Sequence, residues 1–179
     1  MIAPEFSRTV RVDTIGAAPR SLSIEAGEEE RAALAARFDL LAIDRLAAEA
    51  ELTRSGETVR AQGTLRGQVT QSCVATGEPV PETIEEAFAI EFRPQPTAGE
   101  PDEEIELSEG ELDVVFYSGA SIDLGEAVAE TLSLALDPYP RAPDAGEALK
   151  QAGVKDEEQA KAESSPFAGL AALKDKLKP

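Results

Sequence analysis

The most regular alternation of apolar and polar residues lies between Leu46 and Val69. Leu46, Ala48, Ala50 and Leu52 share one phase, Ser55-Gly56 supplies a turn, and Val59, Ala61, Leu65 and Val69 share a phase on the return, with Gly63 and Gly67 in step with them. A period of two puts one set of side chains on one face of a strand. The pattern therefore predicts a long hairpin with one buried face. Two glycines on that face predict close packing or a bulge. Cys73 falls on the same face if the strand continues. After a loop from Val74 to Pro79, residues Ile84, Phe88, Ile90 and Phe92 predict a third strand, with Glu85 and Glu91 on its other face. Arg93-Pro94-Gln95-Pro96 should end it, because proline has no N–H for a ladder. The whole reads as an antiparallel meander with one face buried.

The flanks complete an α+β pattern. Phe6, Arg8, Val10 and Val12 face one way if residues 5–12 are extended, with Arg8 spoiling the alternation; Leu22 and Ile24 mark a strand over 20–25. Glu28 to Phe38 reads as a helix, with three glutamates in its first turn, where the dipole favours acids, and Ala32, Leu34, Ala35 and Phe38 as its buried stripe. Residues 97–111 are polar and acidic, and Val114 to Tyr117 is a short apolar strand or buried segment. Asp123 fits an N-cap, with Glu126 completing a capping-box-like pair. A second helix follows to about Leu136, with Leu124, Val128, Leu132 and Ala135 as its stripe, and Asp137-Pro138-Tyr139-Pro140 ends it. This gives an antiparallel sheet with two packed helices over residues 1–140. Residues 141–164 read as a polar linker with partial helix at best. Ser165-Pro166 opens a terminal helix over 165–179, with Phe167, Leu170, Leu173 and Leu177 along one face and Lys174, Lys176 and Lys178 at its end. A free helix that short is marginal in water, so it should need a surface, on its own body or on a partner.

Charge divides the chain in the same place. Residues 1–149 carry eleven arginines against thirty acids, and residues 150–179 six lysines against five acids, which sum to the net −18. Nucleic-acid affinity rests on cations that release phosphate counterions. So acidic a body favours basic protein partners over DNA or broad contact with RNA, the alternative being that its charge serves solubility alone. The absence of tryptophan and the scarcity of aromatics predict a thin core.

The residue inventory excludes most catalysis. With no histidine, only a lysine or a carboxylate could serve as the base beside a nucleophile, and no serine sits in a G-x-S-x-G elbow; one cysteine and no histidine cannot fill a structural zinc site within one chain. Cys73 reads as a small buried hydrophobe, since no cation stands beside it in sequence. The acids of 100–113 do not follow the calcium-loop spacing and read as a solvated loop. No phosphate-binding glycine pattern precedes a helix. The start Met1-Ile2-Ala3-Pro4-Glu5 lacks a basic segment followed by an apolar run, and no apolar stretch is of membrane-spanning length. The expectation is a cytoplasmic protein with no cofactor and no membrane partner.

Three segments together carry a resemblance. The first is Val69-Thr70-Gln71-Ser72-Cys73-Val74-Ala75-Thr76-Gly77-Glu78-Pro79-Val80; the second is Ser121-Ile122-Asp123-Leu124-Gly125-Glu126, running on to Leu136-Asp137-Pro138-Tyr139-Pro140; the third is Ser165-Pro166-Phe167-Ala168-Gly169-Leu170-Ala171-Ala172-Leu173-Lys174. From about Phe38 onward the chain resembles the YceD family, the large ribosomal RNA subunit accumulation proteins. Many members of that family carry C-x-R-C in the first segment and further cysteines after the second. Here Cys73 alone remains, with Ala75 and Thr76 at the arginine and second cysteine positions and none in Arg141-Ala142-Pro143-Asp144. No metal site therefore carries over.

The resemblance implies a non-enzymatic role in large-subunit rRNA accumulation and ribosome assembly. Charge narrows the expected partner to a basic ribosomal protein or assembly factor, with limited or indirect rRNA contact. Phe167, Leu170, Leu173, Lys174 and Leu177 are the expected partner-binding residues. Cys73, Gly77, Pro79, Asp123, Leu124, Pro138 and Pro140 are expected to be structural. Two alternatives stand beside this: an acidic binding or chaperone module unrelated to ribosomes, and a carboxylate-based metal-dependent module.

Overall fold

A computed structural model of the chain describes residues 4–96 and 113–154. The hairpin is formed by β3 (Ala42–Ser55) and β4 (Thr58–Ser72), which pair antiparallel from Ser55↔Thr58 to Ala42↔Thr70 with one irregularity between Ile43 and Arg45. Gly56 takes the positive φ of 62° that its tight turn requires. Strand β2 (Arg20–Glu25) pairs antiparallel with β3, and β5 (Pro79–Pro94) with β4. The fifth strand, β6 (Asp113–Tyr117), lies parallel to β5, so the sheet of order β2-β3-β4-β5-β6 is mixed at one edge. The ladder reaches Pro94 opposite Tyr117, and the Gln95 N–H donates to the Tyr117 carbonyl at 2.9 Å. The proline-rich end thus sits at the sheet margin, where a missing N–H costs nothing.

Alternation sorts the two faces. Val59, Ala61, Leu65 and Val69 of β4 are buried, while Arg60, Gln62, Arg66 and Gln68 on the opposite face are exposed. Helices α1 (Glu28–Arg37) and α2 (Leu124–Ala135) cover the apolar face, making two layers around one core. Leu34 and Ala35 are the buried residues of α1; Ala32 is exposed, because the stripe lies one position further round the helix. The two in-phase glycines serve different contacts. A Cβ on Gly63 would strike the Glu49 carbonyl and lie 2.8 Å from the Ala50 Cα, whereas one on Gly67 would lie 3.2 Å from Leu132 Cδ1. Gly63 permits strands to approach, and Gly67 lets α2 approach the sheet.

The N-terminal strand is shorter than the apolar pattern suggests. Only β1 (Thr9–Arg11) is regular, and a 3-10 turn follows at Val12–Thr14. It pairs antiparallel with β7 (Ser121–Asp123), a strand the sequence pattern does not announce. Phe6, Val10 and Val12 are buried, as their phase requires, and Arg8 is half-buried with its guanidinium 4.6 Å from the Phe6 ring centre. A third helix, α3 (Ala145–Gln151), occupies part of the stretch read as a linker, and Ala142 and Ala145 there are buried. The terminal helix read over 165–179 and the acidic run at 97–112 lie outside the described residues.

Candidate functional site

The loop that leaves β4 turns back on itself around Cys73. Its N–H donates to the Glu78 carbonyl and its carbonyl accepts from the Gly77 N–H, both at 2.8 Å. Gly77 holds φ at 76°, and Pro79 then starts β5. The segment after α2 crosses this loop. Pro140 is buried and its carbonyl accepts from the Val74 N–H at 2.9 Å; the Ala142 N–H donates to Cys73 Sγ at 3.3 Å. Gln71, also buried, donates from Nε2 to the Asp137 carbonyl at 2.9 Å, while its Oε1 has no partner among the described residues. Cys73, Gly77, Pro79 and Pro140 therefore belong to one junction, and exposed Pro138 sits on its rim.

A small apolar plug fills the junction: Cys73, Ala142 and Ala145, with Ala75 and Val80 against them. The Cys73 thiol is nonetheless brought down to about 7, by the Ala142 N–H first and then the Thr76 hydroxyl, with burial opposing and the Ala75 and Thr76 N–H groups assisting. The sequence expectation of an inert thiol looked for a neighbouring cation. Here amide and hydroxyl dipoles stabilise the thiolate instead. The cysteine-rich pattern of the resembling family does not fit this junction. Thr76 and Ala142 offer no thiolate, alanines occupy the space beside the sulfur, and among the described residues no three of Cys, Asp and Glu are grouped to hold a metal.

Asp123 and Leu124 lie at the other end of α2, a helix length away from Cys73. Asp123 caps α2 by accepting from the Gly125 N–H at 3.0 Å and the Glu126 N–H at 3.2 Å. It also accepts from the Arg8 N–H at 2.8 Å and the Ser7 hydroxyl at 2.5 Å, so the cap fastens the N-terminal segment. Glu126 does not close a capping box; its carboxylate takes Arg37 of α1 at 2.8 Å. Arg37 also holds Glu5 at 2.9 Å, and the two carboxylates, Glu126 first, raise its pKa. Half of a capping box appears at α1 instead, where the Glu30 carboxylate accepts from the N–H of the N-cap Gly27 at 2.7 Å. Bonding to Arg8 holds Glu30 down to about 2. Leu124 is fully buried.

Most arginines of the body are engaged in holding the fold. Arg8, Arg11, Arg37, Arg45, Arg60, Arg66 and Arg93 make ion pairs, and Arg20, Arg31 and Arg54 bond to hydroxyl or carbonyl oxygens. Glu28, Glu29, Asp39, Asp44, Glu51, Glu57 and Glu86 are exposed and carry the surplus negative charge outward. The expected partner-binding residues Phe167, Leu170, Leu173, Lys174 and Leu177 lie outside the described residues.

The family model described as "Large ribosomal RNA subunit accumulation protein YceD" matches residues 61–174. That span contains the Cys73 junction, the α2 cap and the segment 165–174. No curated protein and no solved structure matches the chain.

Proposed function

The chain belongs to the YceD family of large ribosomal RNA subunit accumulation proteins, and on that footing we propose that it is a non-enzymatic cytoplasmic factor supporting large-subunit rRNA accumulation and ribosome assembly by binding a basic protein partner. The family match over most of the chain carries the ribosomal part of this reading. Charge supports the partner: with most of its arginines bonded within the chain, the body presents carboxylates and repels phosphate at long range. A basic ribosomal protein or assembly factor is the occupant that such a surface attracts, and rRNA contact is limited or indirect. The segment from Phe167 to Leu177 offers apolar anchors and lysines as a second, tethered contact. No helix of the described residues is long and apolar enough to cross a membrane.

The test uses cells lacking the gene. Sucrose gradients and the ratio of large- to small-subunit rRNA are measured after complementation with the full chain or with a chain ending at Ser164. The full chain should restore the large-subunit peak, and crosslinking should recover basic proteins ahead of RNA. An undisturbed gradient in the deletion strain would remove the ribosomal reading. Salt-sensitive capture of naked rRNA by residues 1–149 would remove the protein-partner reading.

A further inference from the structure

Two strand edges face each other across a groove of about 600 Å³ lined by Ser7–Arg11 on one side and Leu22–Glu25 on the other. Strand β2 is one of the two edge strands of the large sheet, and β1 belongs to the separate two-stranded sheet. The Ala26 N–H donates to Leu46 of β3, so Ile24 and Leu22, in the same phase, form the hydrogen-bonded pairs with Ala48 and Ala50. The backbone groups of Ser21, Ser23 and Glu25 must then point away from β3, those of Ser23 and Glu25 into the groove. On the other side, Val12 donates to Ala120 and the Arg8 carbonyl accepts from Leu124, so the backbone of Thr9 points outward as well.

Arg8 spans the gap. Its Nη1 donates to the Ser7 carbonyl and its Nη2 to the Glu25 carbonyl, each at 2.8 Å. The edges are thus two hydrogen bonds and one guanidinium apart at that end, comparable room to what one inserted strand takes at a spacing of about 4.8 Å. At the other end Arg20 reaches the Thr14 hydroxyl at 3.1 Å. Between the two arginines the edge groups of Ser21, Ser23 and Thr9 have no backbone partner among the described residues.

We propose that this groove takes an extended segment of a partner protein by strand addition, with basic and apolar residues alternating along the segment. Main-chain hydrogen bonds to β2 supply affinity, and alternate side chains supply selectivity. On the solvent face, Ser21 and Ser23 are small, and directly behind them in register stand Glu51 and Glu49. A lysine or arginine opposite Ser21 reaches over it to Glu51, and one opposite Ser23 shares Glu49 with Arg66, which lies 3.7 Å from that carboxylate. The intervening residues of the segment turn toward half-buried Leu22 and buried Ile24 and Val10. Arg8 is balanced by Glu30 and Arg11 by Asp13, Arg20 at the far end meets only the Thr14 hydroxyl among the described residues, and the surplus acidity of the body decides the sign of the occupant. That choice rests on the basic-partner reading above; the open edges do not.

The probes are three synthetic hexapeptides added to the full chain: alternating Lys and Val, the same composition with the lysines grouped, and alternating Glu and Val. Amide hydrogen exchange at Ser21 and Ser23 and the affinity are measured. Alternating Lys and Val should slow both amides and bind tightest. N-methylation of one groove-facing peptide nitrogen should weaken it about tenfold, the worth of one backbone hydrogen bond. Glu49→Gln with Glu51→Gln should weaken it about fivefold, as expected of exposed charge pairs. Binding with unchanged exchange at Ser21 and Ser23 would overturn the groove and leave the basic-partner reading standing. Equal binding of the Glu and Val peptide at this edge would overturn that reading with the charge pattern, and slowing by none of the three would overturn the groove itself.

Discussion

Gly125 stands where the N-terminal segment crosses the first turn of α2, and replacing it with alanine tests how that crossing is built. A Cβ there would strike the Phe6 carbonyl and lie 2.8 Å from the Arg8 backbone nitrogen. Two effects oppose each other. Alanine is the better helix former by at most about 1 kcal/mol, and less in the first turn. Overpacking costs about 1–3 kcal/mol, and the struck atoms are backbone, with no rotamer to absorb the overlap. If Phe6–Arg8 withdraws, the 3.1 Å bond from the Leu124 N–H to the Arg8 carbonyl and the 2.8 Å bond from the Arg8 N–H to Asp123 weaken, at about 1 kcal/mol each. The overlap wins, and Gly125→Ala should destabilise by about 2–3 kcal/mol, lowering the melting temperature by about 5–10 °C. Urea unfolding followed by circular dichroism measures it. Gly146→Ala is the control, since in α3 an added Cβ meets no heavy atom within 4 Å, and its stability should stay level or rise by up to about 1 kcal/mol. A Gly125→Ala protein as stable as its parent would refute the close crossing.

Three further outcomes follow from the two junctions. The Cys73 thiol sits at about 7 when folded against an ordinary 9.0. Its contribution is complete above pH 9 and is lost as pH falls through 7. The gap in urea midpoint between parent and Cys73→Ala should therefore widen from pH 7 to pH 9 and then level off; a constant gap would disprove the donor arrangement. Gln71→Met removes a buried oxygen with no partner among the described residues along with the part-buried bond to the Asp137 carbonyl, so its unfolding free energy should change by less than about 1 kcal/mol; a loss of 3 kcal/mol would mean that Oε1 is satisfied. Arg37→Ala frees both Glu5 and Glu126 and should cost about 1–2 kcal/mol, less in high salt, as read from denaturation at two ionic strengths.

The long hairpin was legible because a period of two leaves few alternatives over so many residues. Phe6 and Val10 were legible by phase even though Arg8 breaks the alternation; a guanidinium can lie along an aromatic ring and still reach Glu30 at the surface. What resisted reading was non-local. Nothing in Ser121-Ile122-Asp123 signals a strand, because its partner stands more than a hundred residues earlier. Glu126 fits a local box by spacing, and a distant Arg37 outcompetes it. The burial of Ala142 and Ala145 was hidden because alanine carries little hydropathic signal, and the partner that buries them, Cys73, lies in another segment. The state of that thiol was hidden too, since backbone donors leave no mark in a sequence.

The pairing of β1 with β7 also orders events in time. Thr9–Arg11 is synthesised more than a hundred residues ahead of its counterpart Ser121–Asp123, which emerges on the order of ten seconds later at about 5–20 residues per second. The sheet of β2 to β5 can close in that interval from neighbours alone, while Phe6 and Val10 wait uncovered. Among the described strands the earliest made is seated late, so anything that shelters those two side chains meanwhile meets a nascent chain rather than the finished protein.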